Sequence, residues 1–274
     1  VTDSSSTPSY EPSSTKLDTG VPHSARLWNY WLGGKDNFPA DREVADQILA
    51  MVPEMVTSAR ADREFLSRVV RHLAGVEGIR QFLDIGTGLP TADNTHQVAQ
   101  RVAPESRIVY VDNDPMVLVH ARALLTSDPR GATAYIDADL REPDKILDAA
   151  SRTLDFDQPI AIMLLGILNF VPDNDEVAAI VRRLLAVVPP GSFLAISHPT
   201  TEVNGEVMTE ALRLWNEGPA AKMVLRTRDE LVPFFDGLEL LDPGVVSCSQ
   251  WRPDPQTSSV SVEVAHYGGV ARKR

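Results

Sequence analysis

Phe82-Leu83-Asp84-Ile85-Gly86-Thr87-Gly88-Leu89-Pro90-Thr91 reads as a short buried strand that turns sharply on two glycines and leads into a polar, helix-opening segment. Glycine tolerates φ > 0 and lets backbone approach a ligand with no Cβ in the way. A strand-to-helix turn of this kind aims backbone N–H groups at whatever docks there. The full dinucleotide fingerprint asks for a third glycine three residues on, where this chain has Thr91. An ordinary strand-to-helix turn is the competing reading of the motif by itself.

Arg107-Ile108-Val109-Tyr110-Val111-Asp112 is a second β-rich run that ends in an acid. An acid about 20 residues past a glycine loop, at the end of the next strand, is placed to accept hydrogen bonds from ribose hydroxyls. Capping of the following helix is the competing role, and it suits Asp114 better, because Pro115 fits a first helical position.

The chain has 274 residues, 43% of them hydrophobic, enough for one large domain or a domain with an added segment. The longest apolar stretch, Ile160 to Leu168, is too short to span a bilayer. No basic segment followed by an apolar one opens the chain, so no secretory signal is expected. Cys248 is the single cysteine, which fits a reducing compartment, the cytoplasm. A net charge of −12 disfavours nucleic acid or an anionic membrane as partner. The six histidines are scattered, so no metal site is expected.

Residues 1–20, rich in Ser, Thr and Pro, read as a disordered tail. Composition changes at Val21 to Leu32, where Trp28 and Trp31 can share a helix face and Tyr30 cannot join them. Gly33-Gly34-Lys35-Asp36-Asn37 is a loop. Helices are expected over 39–51 and 58–74, the second with Ala61, Phe65, Leu66, Val69, Val70 and Leu73 on one stripe. Residues 21–78 then form an N-terminal helical cap and 79–274 the main domain.

From residue 79 strands and helices alternate. Strands are expected over 80–85, 107–112, 132–137, 158–165 and 191–197, with helices near 92–102, 115–126, 142–151 and 174–187. That order predicts an α/β fold, a parallel sheet with helices on both faces. Ligands of such sheets sit beyond the carboxyl ends of the strands. The Gly86 loop, Asp112, Asp139, Asn169 and His198 all fall there. Further on, helices are expected over 206–216 and after the capping box Thr227-Arg228-Asp229-Glu230, with strands over 237–241 and 258–267. The last alternates Val260, Val262 and Val264 with polar residues, the mark of an antiparallel strand.

These residues resemble class I S-adenosylmethionine-dependent methyltransferases. More closely, His23-Ser24-Ala25-Arg26, Gly33 to Phe38 and Asp41-Arg42-Glu43, followed by Phe82 to Gly88, resemble a bacterial family named S-adenosyl methyltransferases. The resemblance implies a Rossmann-like, doubly wound, mostly parallel seven-stranded sheet with a C-terminal antiparallel pair and an N-terminal helical lid. It implies S-adenosyl-L-methionine as cofactor. Asp84, Gly86, Thr87 and Gly88 then lie beside its methionine and ribose parts. Asp112 binds the ribose hydroxyls, and its neighbours Asn113 and Asp114 line the adenine. Within Asp137-Ala138-Asp139-Leu140 an acid receives the adenine amino group, and Asp139 is favoured because it lies further past the strand end. Gly166 to Phe170, with Asn169, borders the transferred methyl.

The expected reaction is methyl transfer to a small-molecule acceptor. An acceptor that must lose a proton also needs a base, and His198, His23 and Tyr30 are candidates, none with an evident acid/base partner. The segment from Pro22 to Phe38 is expected to fold over the cofactor, with Arg26 or Lys35 near its carboxylate. Two rivals share these features: an NAD(P)-dependent oxidoreductase, and a protein that binds S-adenosylmethionine without turnover. The acceptor and the oligomeric state are not encoded in any motif.

Overall fold

The computed structural model describes residues 18–91, 93–124, 127–254 and 262–274. Helices α1 (Ser24–Trp31), α2 (Pro39–Met51) and α3 (Met55–Gly75) come first. Then β1 (Gln81–Ile85), α4 (Thr95–Val102), β2 (Arg107–Asp112), α5 (Pro115–Leu124), β3 (Ala132–Asp137), α6 (Pro143–Ala150), β4 (Ala161–Leu165), α7 (Asn174–Ala186) and β5 (Phe193–Pro199) alternate. Helices α8 (Gly205–Glu217) and α9 (Arg228–Leu231) precede β6 (Leu238–Leu240), β7 (Val246–Ser247) and β8 (His266–Lys273). The disordered tail expected at the N-terminus falls, through residue 17, outside the described residues.

The strands form one sheet in the order β3-β2-β1-β4-β5-β8-β6, with the two-residue β7 paired to β8. The first five run parallel. β8 enters antiparallel between β5 and β6. The chain moves outward from β1 to β2 and β3, then returns to β4 on the other side of β1. Strand order therefore reverses between β1 and β4, and a crevice opens above their carboxyl ends.

Alternation along each strand builds two cores. Leu83, Ile85, Val109, Val111, Ile162 and Leu164 face α6 and α7. Phe82, Ile108, Tyr110, Ala161 and Met163 face α3 and α4. The stripe expected on α3 is buried throughout. A third cluster joins Leu27 and Trp31 of α1 and Ile48 of α2 to Met208 and Trp215 of α8. The N-terminal helices α1 and α2 are thus packed against α8. No helix among the described residues is long and apolar enough to cross a membrane.

The last strand departs from expectation. Residues 255–261 lie outside the described residues, and 262–265 are not strand. The strand runs instead through His266-Tyr267-Gly268-Gly269-Val270-Ala271-Arg272-Lys273. Glycine pairs weaken a strand on propensity alone. Here they are demanded by packing: a Cβ on Gly268 would stand 2.6 Å from Cζ of Phe65, and one on Gly269 would stand 2.9 Å from Cγ2 of Val245. Tertiary contact overrides local preference.

Candidate functional site

A groove of about 320 Å³ occupies the crevice above β1 and β4. Asp84, Gly86, Thr87, Gly88, Asp112, Asn113, Asp139 and Leu140 all line it. Asp137, the alternative to Asp139, is exposed at the end of β3 and does not.

The glycine loop differs from its expected form in one respect. Gly86 and Gly88 have φ of 78° and 66°. Yet the loop's N–H groups fold back onto β2. Those of Gly86 and Thr87 donate to the carbonyl of Val111 at 2.8 and 3.3 Å, and that of Gly88 to Oδ2 of Asp112 at 2.8 Å. What the loop offers a ligand is bare backbone surface rather than a row of N–H donors. The helix after it starts later than expected, at Thr95, capped by Asn94 and Gln97.

Asp112 is nearly buried. Its other oxygen, Oδ1, accepts from the N–H of Asp114 at 2.9 Å. Each carboxylate oxygen keeps a second lone pair for the groove. Burial raises its pKa despite these bonds. Asp84 is buried at the floor of the groove, accepts from Oγ1 of Thr95 at 2.6 Å, and is pushed by burial up to about 6. Asp139 accepts from Nδ2 of Asn113 at 3.2 Å and from the N–H of Arg141 at 2.8 Å. Asp114 caps α5 as expected, accepting from Met116 at 2.8 Å. Its second oxygen lies 3.0 Å from Nδ1 of His23. Burial alone would raise Asp114, but His23, the Met116 N–H and Arg26 outweigh it and the pKa falls.

Helix α1 covers one side of the groove with His23, Ser24, Ala25, Trp28 and Asn29. Arg26 and Lys35, expected to face the cofactor, do not line it. Arg26 is buried behind α1, where it meets Oδ1 of Asp41 at 3.3 Å and donates to the carbonyls of Val21 and Asp18 at 2.6 and 3.2 Å. Asp41 also accepts from the N–H groups of His23 and Phe38 at 2.9 and 2.8 Å. Lys35 is exposed. The Gly-Gly-Lys-Asp-Asn loop is shaped by Asn29, whose Oδ1 accepts from the Asp36 N–H and the Asn37 amide, both at 3.0 Å. A Cβ on Gly34 would fall 2.3 Å from Asn29. The motif is a structural knot that fixes α1 over the groove.

His198 is corrected too. It is 0% exposed and outside the groove. Nη1 of Arg226 lies 2.9 Å from its Nε2. A guanidinium only donates, so Nε2 accepts and Nδ1–H donates to the Pro199 carbonyl at 2.7 Å. Burial lowers its pKa to about 3. A histidine with both nitrogens committed and no access cannot take an acceptor's proton. Tyr30 also lies outside the groove, its hydroxyl donating to Oδ1 of Asp46 at 2.9 Å, which raises its pKa. Asn169, 4% exposed, lies behind the groove and not in it.

Other lining residues escape sequence reading. Asp62 and Arg63 sit among the polar positions of α3, where nothing separates a groove residue from a solvated one. Arg141 lines the groove and reaches the Phe170 carbonyl at 2.5 Å and Oε1 of Glu176 at 3.2 Å.

A family model described as S-adenosyl methyltransferase matches residues 10–274. Among solved structures, a DUF574 family protein from Streptomyces avermitilis is 46% identical, with a TM-score of 0.90, covering 94% of this chain and 100% of that one. A protein from Thermobifida fusca described as a putative methyltransferase is 41% identical, with a TM-score of 0.85 and coverage of 94% and 97%. The plantazolicin methyltransferase BpumL, solved with S-adenosylhomocysteine, shares the fold at 12% identity and a TM-score of 0.52, covering 91% and 95%. No curated protein matches.

Proposed function

This chain belongs to the S-adenosyl methyltransferase family and is an S-adenosylmethionine-dependent methyltransferase; from that premise we propose that it methylates a small molecule, with the groove over β1 and β4 as the cofactor site. The observation that carries this is the convergence of Asp84, the Gly86–Gly88 loop, Asp112 and Asp139 on one groove. The residues suit the cofactor. Among the described residues no salt bridge reaches the buried Asp84, which feels Arg63 only at longer range, and a sulfonium and an ammonium bring positive charge to it. The loop presents a surface without Cβ atoms. Acids at the ends of β2 and β3 accept from hydroxyl and amino groups.

In this reading Asp112 accepts from the ribose hydroxyls while holding Gly88 in place. Asn113 and Leu140 lie along the adenine, and Asp139 receives its amino group. Asp84 faces the methionine end. Residues 21–78 act as the cap over 79–274, and the site works in the cytoplasm, where Cys248 stays reduced. The bound cofactor supplies an already activated methyl, so the protein's task is to orient the acceptor in line with it and keep water away.

Calorimetry with S-adenosylmethionine and NAD side by side tests the assignment, which fails if NAD binds and the sulfonium compound does not. Asp112→Ala removes the acceptor for Gly88 and Asp114 together with the ribose contact. A loss of about 1.4–2.8 kcal/mol is expected, roughly 10- to 100-fold in cofactor affinity. Unchanged affinity would place the ribose elsewhere.

Asp84 predicts a pH dependence. A cationic ligand favours the ionised carboxylate, whose pKa in the free protein is raised to about 6. Affinity should be level above that value and fall by up to tenfold per pH unit below it, with proton release on binding. Asp84→Asn should flatten the profile; a wild-type affinity independent of pH between 4 and 7 contradicts the placement.

A further inference from the structure

Behind the groove lies a second cavity of about 70 Å³, between α1, α8 and the turn after β4. Ser24, Trp28, Gly166 and Phe170 line both, so the two adjoin. Its wall is aromatic and soft: Trp28, Trp31, Trp215, Met208 and Met223. No Asp, Glu, Lys or Arg lines it among the described residues.

Four polar side chains interrupt this wall, Ser24, Ser58, Asn169 and His266, and the last two each hold a buried polar atom without a partner among the described residues. Asn169 is 4% exposed, and its Oδ1 accepts no hydrogen bond from the described residues. His266 is 2% exposed, and its Nε2 has no hydrogen-bond partner among the described residues, standing 3.5 Å from Oδ1 of Asp62. Its ring meets Trp28 edge-on, with centroids 5.6 Å apart. An apolar residue at position 169 would complete the wall without leaving an orphan. A buried acceptor with no donor costs free energy, and such groups call for an explanation.

We infer that this cavity receives the uncharged, compact apolar end of the methyl acceptor, with Oδ1 of Asn169 accepting a hydrogen bond from its hydroxyl or N–H, an inference that rests on the reading of the groove as the cofactor site. A charged group entering here would lose its hydration and find no counter-ion. Aromatic walls favour a flat ring met edge-on or stacked. Methionine side chains can shift to admit one. The small volume admits the edge of such a ring that carries its hydroxyl or N–H, and the rest of the ring and of the acceptor lies at the junction with the groove.

The test uses the full chain saturated with S-adenosylhomocysteine and three probes: phenol, benzoate and benzylamine. Titration calorimetry should show phenol binding at least tenfold more tightly than either charged probe. Asn169→Leu should weaken phenol at least tenfold and leave S-adenosylhomocysteine affinity within twofold. Ala211→Leu, which narrows the cavity from α8, should also exclude phenol, and it serves if Asn169→Leu does not fold. Equal binding of the charged probes overturns the inference, as does phenol binding that neither variant alters. If the wild-type chain does not bind S-adenosylhomocysteine at all, the assignment of the groove itself is what has failed.

Discussion

Replacing Arg226 by alanine is expected to destabilise the protein by about 3–5 kcal/mol, because it strips several buried acceptors of their donor at once. Arg226 is 2% exposed. Its Nε donates to Oδ1 of Asn174 at 2.7 Å, Nη1 to the Leu168 carbonyl at 3.0 Å, and Nη2 to the Val171 carbonyl at 2.7 Å. Nη1 also reaches His198, and the guanidinium lies over the ring of Phe234 at 5.4 Å. All but the last two of these partners belong to the segment that follows β4, and that segment forms one wall of the groove. Urea unfolding should show the loss as a lower midpoint with an unchanged slope. Arg226→Lys should recover only a minor part, since an ammonium cannot reproduce the planar fork. Cofactor affinity should fall in whatever variant still folds, because Ile167, Phe170 and Val171 line the groove. A loss below about 1 kcal/mol for the alanine variant would mean that water replaces the guanidinium at little cost.

Gly86→Val is expected to abolish measurable cofactor binding and to lower stability by about 2–5 kcal/mol, combining backbone strain with overpacking. Gly86 has a φ of 78°, and an added Cβ would sit 2.6 Å from Cγ1 of Ile167. Both faces of the crevice would have to part. Gly88→Ala is the control. Its φ is 66°, but nothing lies within 4 Å of an added Cβ. Only the strain of about 1–2 kcal/mol should remain in its stability. The control also probes the ligand: an alanine that weakens the cofactor far more than it weakens the fold puts the ligand against Gly88. Equal stability of the two variants would show that Ile167 yields freely.

The parallel strands and most helices could be read from residue order. β2, β3 and α2 fall on the residues expected, and the cores follow from period-two alternation along each strand. The groove's acids were accessible in the same way, because a residue at a strand's carboxyl end is placed by topology whatever surrounds it. Asp84, Asp112 and Asp139 share that property. Arg26 and Lys35 do not, and there the expectations failed; His198 does stand at the carboxyl end of β5, but its ring is taken by Arg226 and the Pro199 carbonyl instead of facing the groove. A charged or ionisable side chain among glycines and aromatics looks the same in sequence whether it faces a ligand or anchors a loop.

The parallel part of the sheet was thus settled by local pattern, since hydrophobic period, caps and glycine turns act over a few residues, whereas the place of β8 was not. The partner of each long polar side chain was decided only in three dimensions. Asp41 claims Arg26, Arg226 claims His198, and Phe65 makes room for itself at Gly268, each from well beyond the reach of a local pattern. Burial does the deciding: a charge or hydrogen-bonding group removed from water must be satisfied by whatever the fold brings near, and that neighbour is set by packing rather than by sequence distance.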